Sequence, residues 1–68
     1  MNFKIGHWVK TNKEVYNFFH YIGEGTKVEI IGISAKGYDL RTEDGIVVKE
    51  TGFNSVIRDN EKPRRYYA

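Results

Sequence analysis

Between residues 25 and 58 short apolar runs alternate with breaks at Gly37, Gly45 and Gly52, the rhythm of strands joined by tight turns. Val28, Ile30, Ile31 and Ile33 form a β-branched run whose stiff χ1 preferences favour a pleated backbone over helix. Val28 and Ile30 alternate onto one face, after which Ile31 and Ile33 take the other. That change of phase beside Gly32 predicts a bulge or sharp bend. A long strand bent there can serve two sheet directions, which is how a small sheet turns towards closure.

The next hairpin is decided by register. A two-residue Asp44-Gly45 loop would set Leu40 against Lys49 and Arg41 against Val48, mixing apolar and charged groups on both faces. A three-residue loop, Glu43-Asp44-Gly45 with Gly45 left-handed, shifts the pairing by one. Leu40 then opposes Val48 and Thr42 opposes Ile46 on one inward face. Asp39 meets Lys49 outside as a cross-strand charge pair, and Val47 points outward near Arg41. Beyond Gly52, Phe53-Asn54-Ser55 is too short for a helix and predicts one tight turn, followed by a last short strand at 56–58.

At the start of the chain, residues 2–10 predict a first strand interrupted at Gly6-His7. Trp8 lies on the opposite phase from Phe3, Ile5 and Val9, together with Lys4 and Lys10. It either covers the open end of the fold, the ordinary use of a lone Trp in a tiny domain, or offers a platform for stacking. Thr11 and Glu14 match a capping box, and Val15, Phe18, Phe19 and Ile22 follow at helical spacing. They predict a short amphipathic helix over 12–20, with Tyr16, Asn17, His20 and Tyr21 outward or at its rim.

Length changes the weight of these signals. A chain of 68 residues allows one domain, and at this size only about 60% of the unfolded surface is buried. With 15% aromatic residues, several rings are expected in the core. There is no cysteine, which excludes disulfides and thiolate metal sites and suits a reducing cytoplasm. Two histidines alone make no structural metal site, and no cofactor is implied. No leader-like segment or membrane-spanning apolar run is read in the sequence.

Charge is uneven. Residues 1–57 balance seven basic against seven acidic groups, and residues 58–68 carry four basic against two acidic, which is the whole net charge of +2. The expected organisation is a neutral domain over 1–58 and a mobile basic tail over 59–68. Within the tail, Arg64, Arg65 and Tyr66 could hold phosphate or stack on bases, or could simply aid solubility.

The layout of Phe3, Ile5-Gly6, Val9, Gly25, Val28, Ile30, Gly32-Ile33, Gly37-Tyr38, Leu40, Asp44-Gly45, Phe53 and Val56 resembles small SH3-like barrels. It is most similar to the short proteins of that fold in Gram-positive phage and plasmid genomes, and KOW-type domains share its outline. The resemblance covers about residues 2–58 and rests on turn glycines and core positions. It implies a mainly β fold, a five-stranded SH3-like barrel with one short helix or helical turn in the first long loop. It says little of activity. Peptide-binding SH3 domains use an acidic first loop, a tyrosine-rich motif and paired tryptophans; here that loop holds Lys13, Glu14 and Tyr16, and Trp8 stands alone. Type II dihydrofolate reductases need a Val-Gln-Ile-Tyr segment, and Ile46-Val47-Val48-Lys49 lacks its Gln and Tyr.

Catalytic constellations are not found in the sequence. Ser34 and Ser55 lie in a loop and a turn without a nucleophile elbow, and Gly23-x-Gly25 lacks the rest of a phosphate loop. His7 and His20 read as surface groups. A domain of this size is also expected to lack the ~300 Å³ pocket of a small-molecule enzyme. The expectation is a non-catalytic binding module, with two candidate partners. A protein partner, such as a host or mobile-element complex, is favoured by Tyr16, Tyr21, Val47 and Trp8 as outward apolar groups. Val47 on an outer edge also allows weak homodimerisation of an otherwise monomeric chain. Single-stranded nucleic acid is the alternative, through Lys4, Trp8, Lys10, Arg41, Lys49 and residues 64–67.

Overall fold

The computed structural model describes residues 3–61. Seven strands form among them: β1 (Trp8–Thr11), β2 (Val15–Tyr16), β3 (Tyr21–Ile22), β4 (Lys27–Ser34), β5 (Gly37–Thr42), β6 (Val47–Val48) and β7 (Val56–Ile57). β1, β4, β5, β6 and β7 make one antiparallel sheet in the order β6-β5-β4-β1-β7, while β2 and β3 pair separately. The fold is mainly β, and the described residues contain no helix. The sheet does not close into a barrel. β6 and β7 are its two edges, each two residues long, and no pairing joins them.

β4 is the central strand and behaves as its sequence predicts. Its register with β5 shifts between Ile30 and Gly32, so Ile31 is the bulged residue. Its first half pairs on both sides, with β1 through Lys27, Val28 and Glu29 and with β5 through Val28, Glu29 and Ile30. The β5–β6 register is also the expected one. Leu40 opposes Val48, Arg41 opposes Val47, and Thr42 N–H donates to Ile46 O at 2.8 Å. Gly45 takes φ 95°, as the three-residue loop requires.

One charge pair does not form. The Asp39 carboxylate accepts the Glu50 backbone N–H at 2.9 Å and makes no ion pair with Lys49. Glu50 has φ 57°, so its amide turns into the sheet where Asp39 can reach it. The Glu50 side chain lies 3.6 Å from Lys36 at the surface.

The core is aliphatic. Val9, Val15, Ile22, Val28, Ile30, Leu40, Val48 and Val56 pack around Tyr38, with Phe3 and Ile46 half-buried against them. The expectation of several core rings fails: among the described residues Tyr38 is the one buried aromatic. It is flanked edge-on by Phe3 and Phe53, with centroids 6.0 and 5.2 Å away. β-Branched residues fill a thin layer behind a pleated sheet at less depth than rings need, which leaves the rings outside.

After β6 the chain crosses back to the start of β5. Thr51 donates its N–H and its hydroxyl to Tyr38 O, at 3.0 and 2.9 Å. At this crossing Gly37, with φ 132°, faces the backbone of Gly52, and a Cβ on Gly37 would lie 2.4 Å from Gly52 N. Past β7, Arg58 O accepts the Glu61 N–H at 3.0 Å, which closes a turn over 58–61. Arg64, Arg65 and Tyr66 lie outside the described residues.

Gly37→Ala is expected to destabilise by about 3 kcal/mol or more, because backbone overlap adds to the strain of a positive φ. Gly45→Ala has the strain alone, with nothing within 4 Å of its Cβ, and should cost about 1 kcal/mol. Urea unfolding of both variants checks this, and equal midpoints would contradict the Gly37–Gly52 contact.

Candidate binding surfaces

Residues 12–20, read from sequence as a helix, instead contain β2 and the loop that turns it onto β3. Val15 opposes Ile22 and Tyr16 opposes Tyr21 across a four-residue loop. Three facts decide against helix. Val, Tyr, Phe and Ile are strand formers with low helix propensity. Asn17 turns its side chain back, its Oδ1 accepting the Phe19 and His20 N–H groups at 2.9 and 2.8 Å, and its own N–H donates to His20 O. That competes with the helical pattern. The residues of the supposed capping box also have other partners. Thr11, fully buried at the end of β1, donates its hydroxyl to Gly23 O at 2.7 Å and accepts Thr26 N–H at 2.9 Å. Glu14 accepts the Tyr21 hydroxyl at 2.5 Å.

The hairpin has an inward and an outward face. Val15 and Ile22 reach the core, whereas Tyr16 and Tyr21 are exposed on the other side. At the tip Phe18 is 99% and Phe19 86% exposed. Four aromatic side chains thus stand together on one two-stranded projection. An open groove of about 300 Å³ runs along Tyr16, Asn17 and Phe18. A second, of about 290 Å³, lies between Ile22, Lys27, Thr42 and Ile46. Both spaces are open grooves at the surface.

Phe18 and Phe19 were not among the sequence-derived candidates, since helical spacing assigns them to the buried side. A better signal was present. Val15-Tyr16 and Tyr21-Ile22 mirror one another around Asn17-Phe18-Phe19-His20, which is the pattern of a hairpin with one apolar and one aromatic cross-strand pair.

The outer face of the five-stranded sheet holds most of the other candidates. Trp8, Glu29, Arg41 and Val47 form one row across β1, β4, β5 and β6. Within it Arg41 Nη2 lies 2.6 Å from Glu29 Oε1, and this exposed pair contributes at most about 1 kcal/mol. Val47 is half-buried beside Arg41, and Lys49 is exposed. On the neighbouring row Lys10 is the direct partner of Lys27, whose Nζ lies 5.9 Å from the Trp8 ring centroid. Trp8 itself is 42% exposed. The sheet thus gathers Trp8, Lys10, Arg41 and Val47 on one face, Lys49 follows β6 as an exposed residue, and Tyr16 and Tyr21 belong to the separate hairpin. Lys27 was the residue the sequence reading missed here, because its place beside Trp8 depends on the β1–β4 register.

Among the described residues no three His, Asp or Glu side chains gather to hold a metal ion, and no helix is long and apolar enough to cross a membrane. No family model, curated protein or solved structure matches the chain.

Two predictions come from the hairpin. Phe18→Ala should change unfolding free energy by no more than about 0.5 kcal/mol, as at any exposed site. In the buried face of a helix the same change would cost about 3–5 kcal/mol, so denaturant titration separates the two conformations. The second concerns Tyr21. The Glu14 carboxylate that accepts its hydroxyl holds the phenol above its usual value of 10.0, with burial and the nearby negative charge adding to the effect. Glu14→Gln should lower the Tyr21 pKa, as read by pH titration of the ring signals in NMR. A raised phenol pKa favours the protonated folded state. This contribution is therefore present below the unfolded pKa of about 10 and lost as pH rises through the folded value.

Proposed function

We propose that this chain is a non-catalytic, SH3-like binding module that docks on a protein through the tip of its β2–β3 hairpin. The SH3-like reading is supported by the strand order β7-β1-β4-β5-β6 with a hairpin inserted between the first two sequential strands of the sheet. The docking reading rests on one observation, the near-complete exposure of Phe18 and Phe19 between the outward Tyr16 and Tyr21. A small domain that needs apolar burial leaves its most hydrophobic rings in water only at a cost, and such patches mark contact sites. The hairpin is also held for the purpose. Its root is buried through Val15 and Ile22, its turn is fixed by Asn17, and Tyr21 is tied to Glu14. Little ordering entropy remains to be lost on binding. A phage- or plasmid-type factor acting on a host complex is the setting implied by the resemblance to SH3-like proteins of those genomes.

The paired substitution Phe18→Ser with Phe19→Ser tests this against Lys10→Gln with Arg41→Gln. The full chain of each is used to capture protein from a Gram-positive lysate treated with nuclease. Loss of the captured species with the Phe pair alone, at unchanged thermal stability, is the expected result. Equal capture by wild type and the Phe pair would overturn the hairpin as the contact element.

A further inference from the structure

We infer that the outer face of the sheet at β1 and β4 carries a second site, for single-stranded nucleic acid, in which Trp8 stacks on a base and Lys10 and Lys27 hold adjoining phosphate. This site is independent of the hairpin and of the docking proposed for it. Its first support is a like-charge pair. Lys10 and Lys27 sit directly opposite one another across two strands, an arrangement that disfavours folding unless something negative relieves it. Within the described residues neither lysine is in an ion pair; Lys27 has only its approach to the Trp8 ring, and the other cross-strand neighbour of Lys10 is the apolar Ile57. The nearest outward carboxylate on β4, Glu29, is already bound to Arg41. Among the described residues, then, no carboxylate is ion-paired with either lysine, and an external anion can take that place.

The second support is the ring beside that pair. Trp8 is two residues from Lys10 on the same face of β1, a step of about 7 Å, and the Lys27 ammonium already lies within 6 Å of its centroid. An anion held by Lys27 therefore brings whatever planar group it carries to the indole. Phosphate joined to a planar base satisfies both contacts. The face is an open pleated surface and encloses nothing, so a single nucleotide would stay mostly in solvent. A polymer gains by repeating the contact, and flexible single strands can turn their bases onto a ring, as a stacked duplex cannot.

Trp8 is the only tryptophan, so its fluorescence reports on this site alone. The test titrates the full chain with oligo(dT), with duplex DNA of the same length and with base-free polyphosphate, at several salt concentrations. The expected result is quenching by oligo(dT), with log K falling against log salt at a slope of about −1.4 for two phosphate contacts. Lys10→Gln or Lys27→Gln should bring that slope to about −0.7, with circular dichroism unchanged. Arg64→Gln with Arg65→Gln should leave the slope where it is. Failure of oligo(dT) to quench at low salt overturns the site. So does equal quenching by polyphosphate or duplex, which removes the stacking, or a slope that responds to the Arg64 and Arg65 changes but not to the lysines. Quenching that is lost in the Phe18→Ser, Phe19→Ser variant would place binding on the hairpin and also overturn it.

Discussion

The buried hydroxyl of Thr11 connects the two parts of this fold. It bonds to Gly23 O and Thr26 N–H, while the Thr11 backbone accepts Gly25 N–H and donates to Thr26 O. Four hydrogen bonds thus join the end of β1 to the connection between β3 and β4. The two ends of the hairpin segment, residues 12–25, are thereby held at one place on the sheet. In a buried setting each unmade bond would leave a group desolvated, at about 1–3 kcal/mol. The hairpin can consequently project without being anchored along its length. Its tip needs no packing of its own, which is why Phe18 and Phe19 can remain in solvent while Val15 and Ile22 complete the core.

The parts of the structure that could be read from sequence are those governed by side-chain alternation. Moving Leu40 by one residue would have put Lys49 inside, so the β5–β6 register had a single acceptable solution. Gly32 and the change of phase at Ile31 located the bulge for the same reason. The helix expectation fails because over eight residues the pattern is ambiguous: Val15, Phe18, Phe19 and Ile22 satisfy a helical count, and Val15 and Ile22 equally satisfy a hairpin. What separates them is nonlocal. Thr11 is committed to Gly23 and Thr26, and Glu14 to Tyr21, so neither is available to cap. An isolated helix this short has little stability of its own, and tertiary bonds decided the matter.

The same distinction explains the candidate surfaces. Tyr16 and Tyr21 were legible as outward residues under either conformation, since both place them away from Val15 and Ile22. Phe18 and Phe19 were not, because their exposure is a property of the loop that Asn17 makes. On the sheet, Trp8 and Lys10 were visible from alternation in β1 alone. Lys27 became part of that group only through the pairing of β1 with β4, seventeen positions away in sequence from Lys10. Arg41, a nucleic-acid candidate by sequence, changes in the opposite sense, because the cross-strand Glu29 pairs with its charge.

Local choices that oppose stability are most informative where the remainder of the chain agrees with its fold. Two such choices among the described residues differ in physics. Exposed rings at the hairpin tip forgo apolar burial, and an interaction that recovers it depends little on ionic strength. The Lys10–Lys27 pairing is an electrostatic penalty, which an anion relieves and salt screens. The two sites face different directions of chemistry, so one chain could hold a protein through its hairpin and a nucleic acid through its sheet. The neutral balance of residues 1–57 fits that division. Only a local charge pair, not a basic body, is available for phosphate, and binding there would be weak unless the protein contact held the module in place.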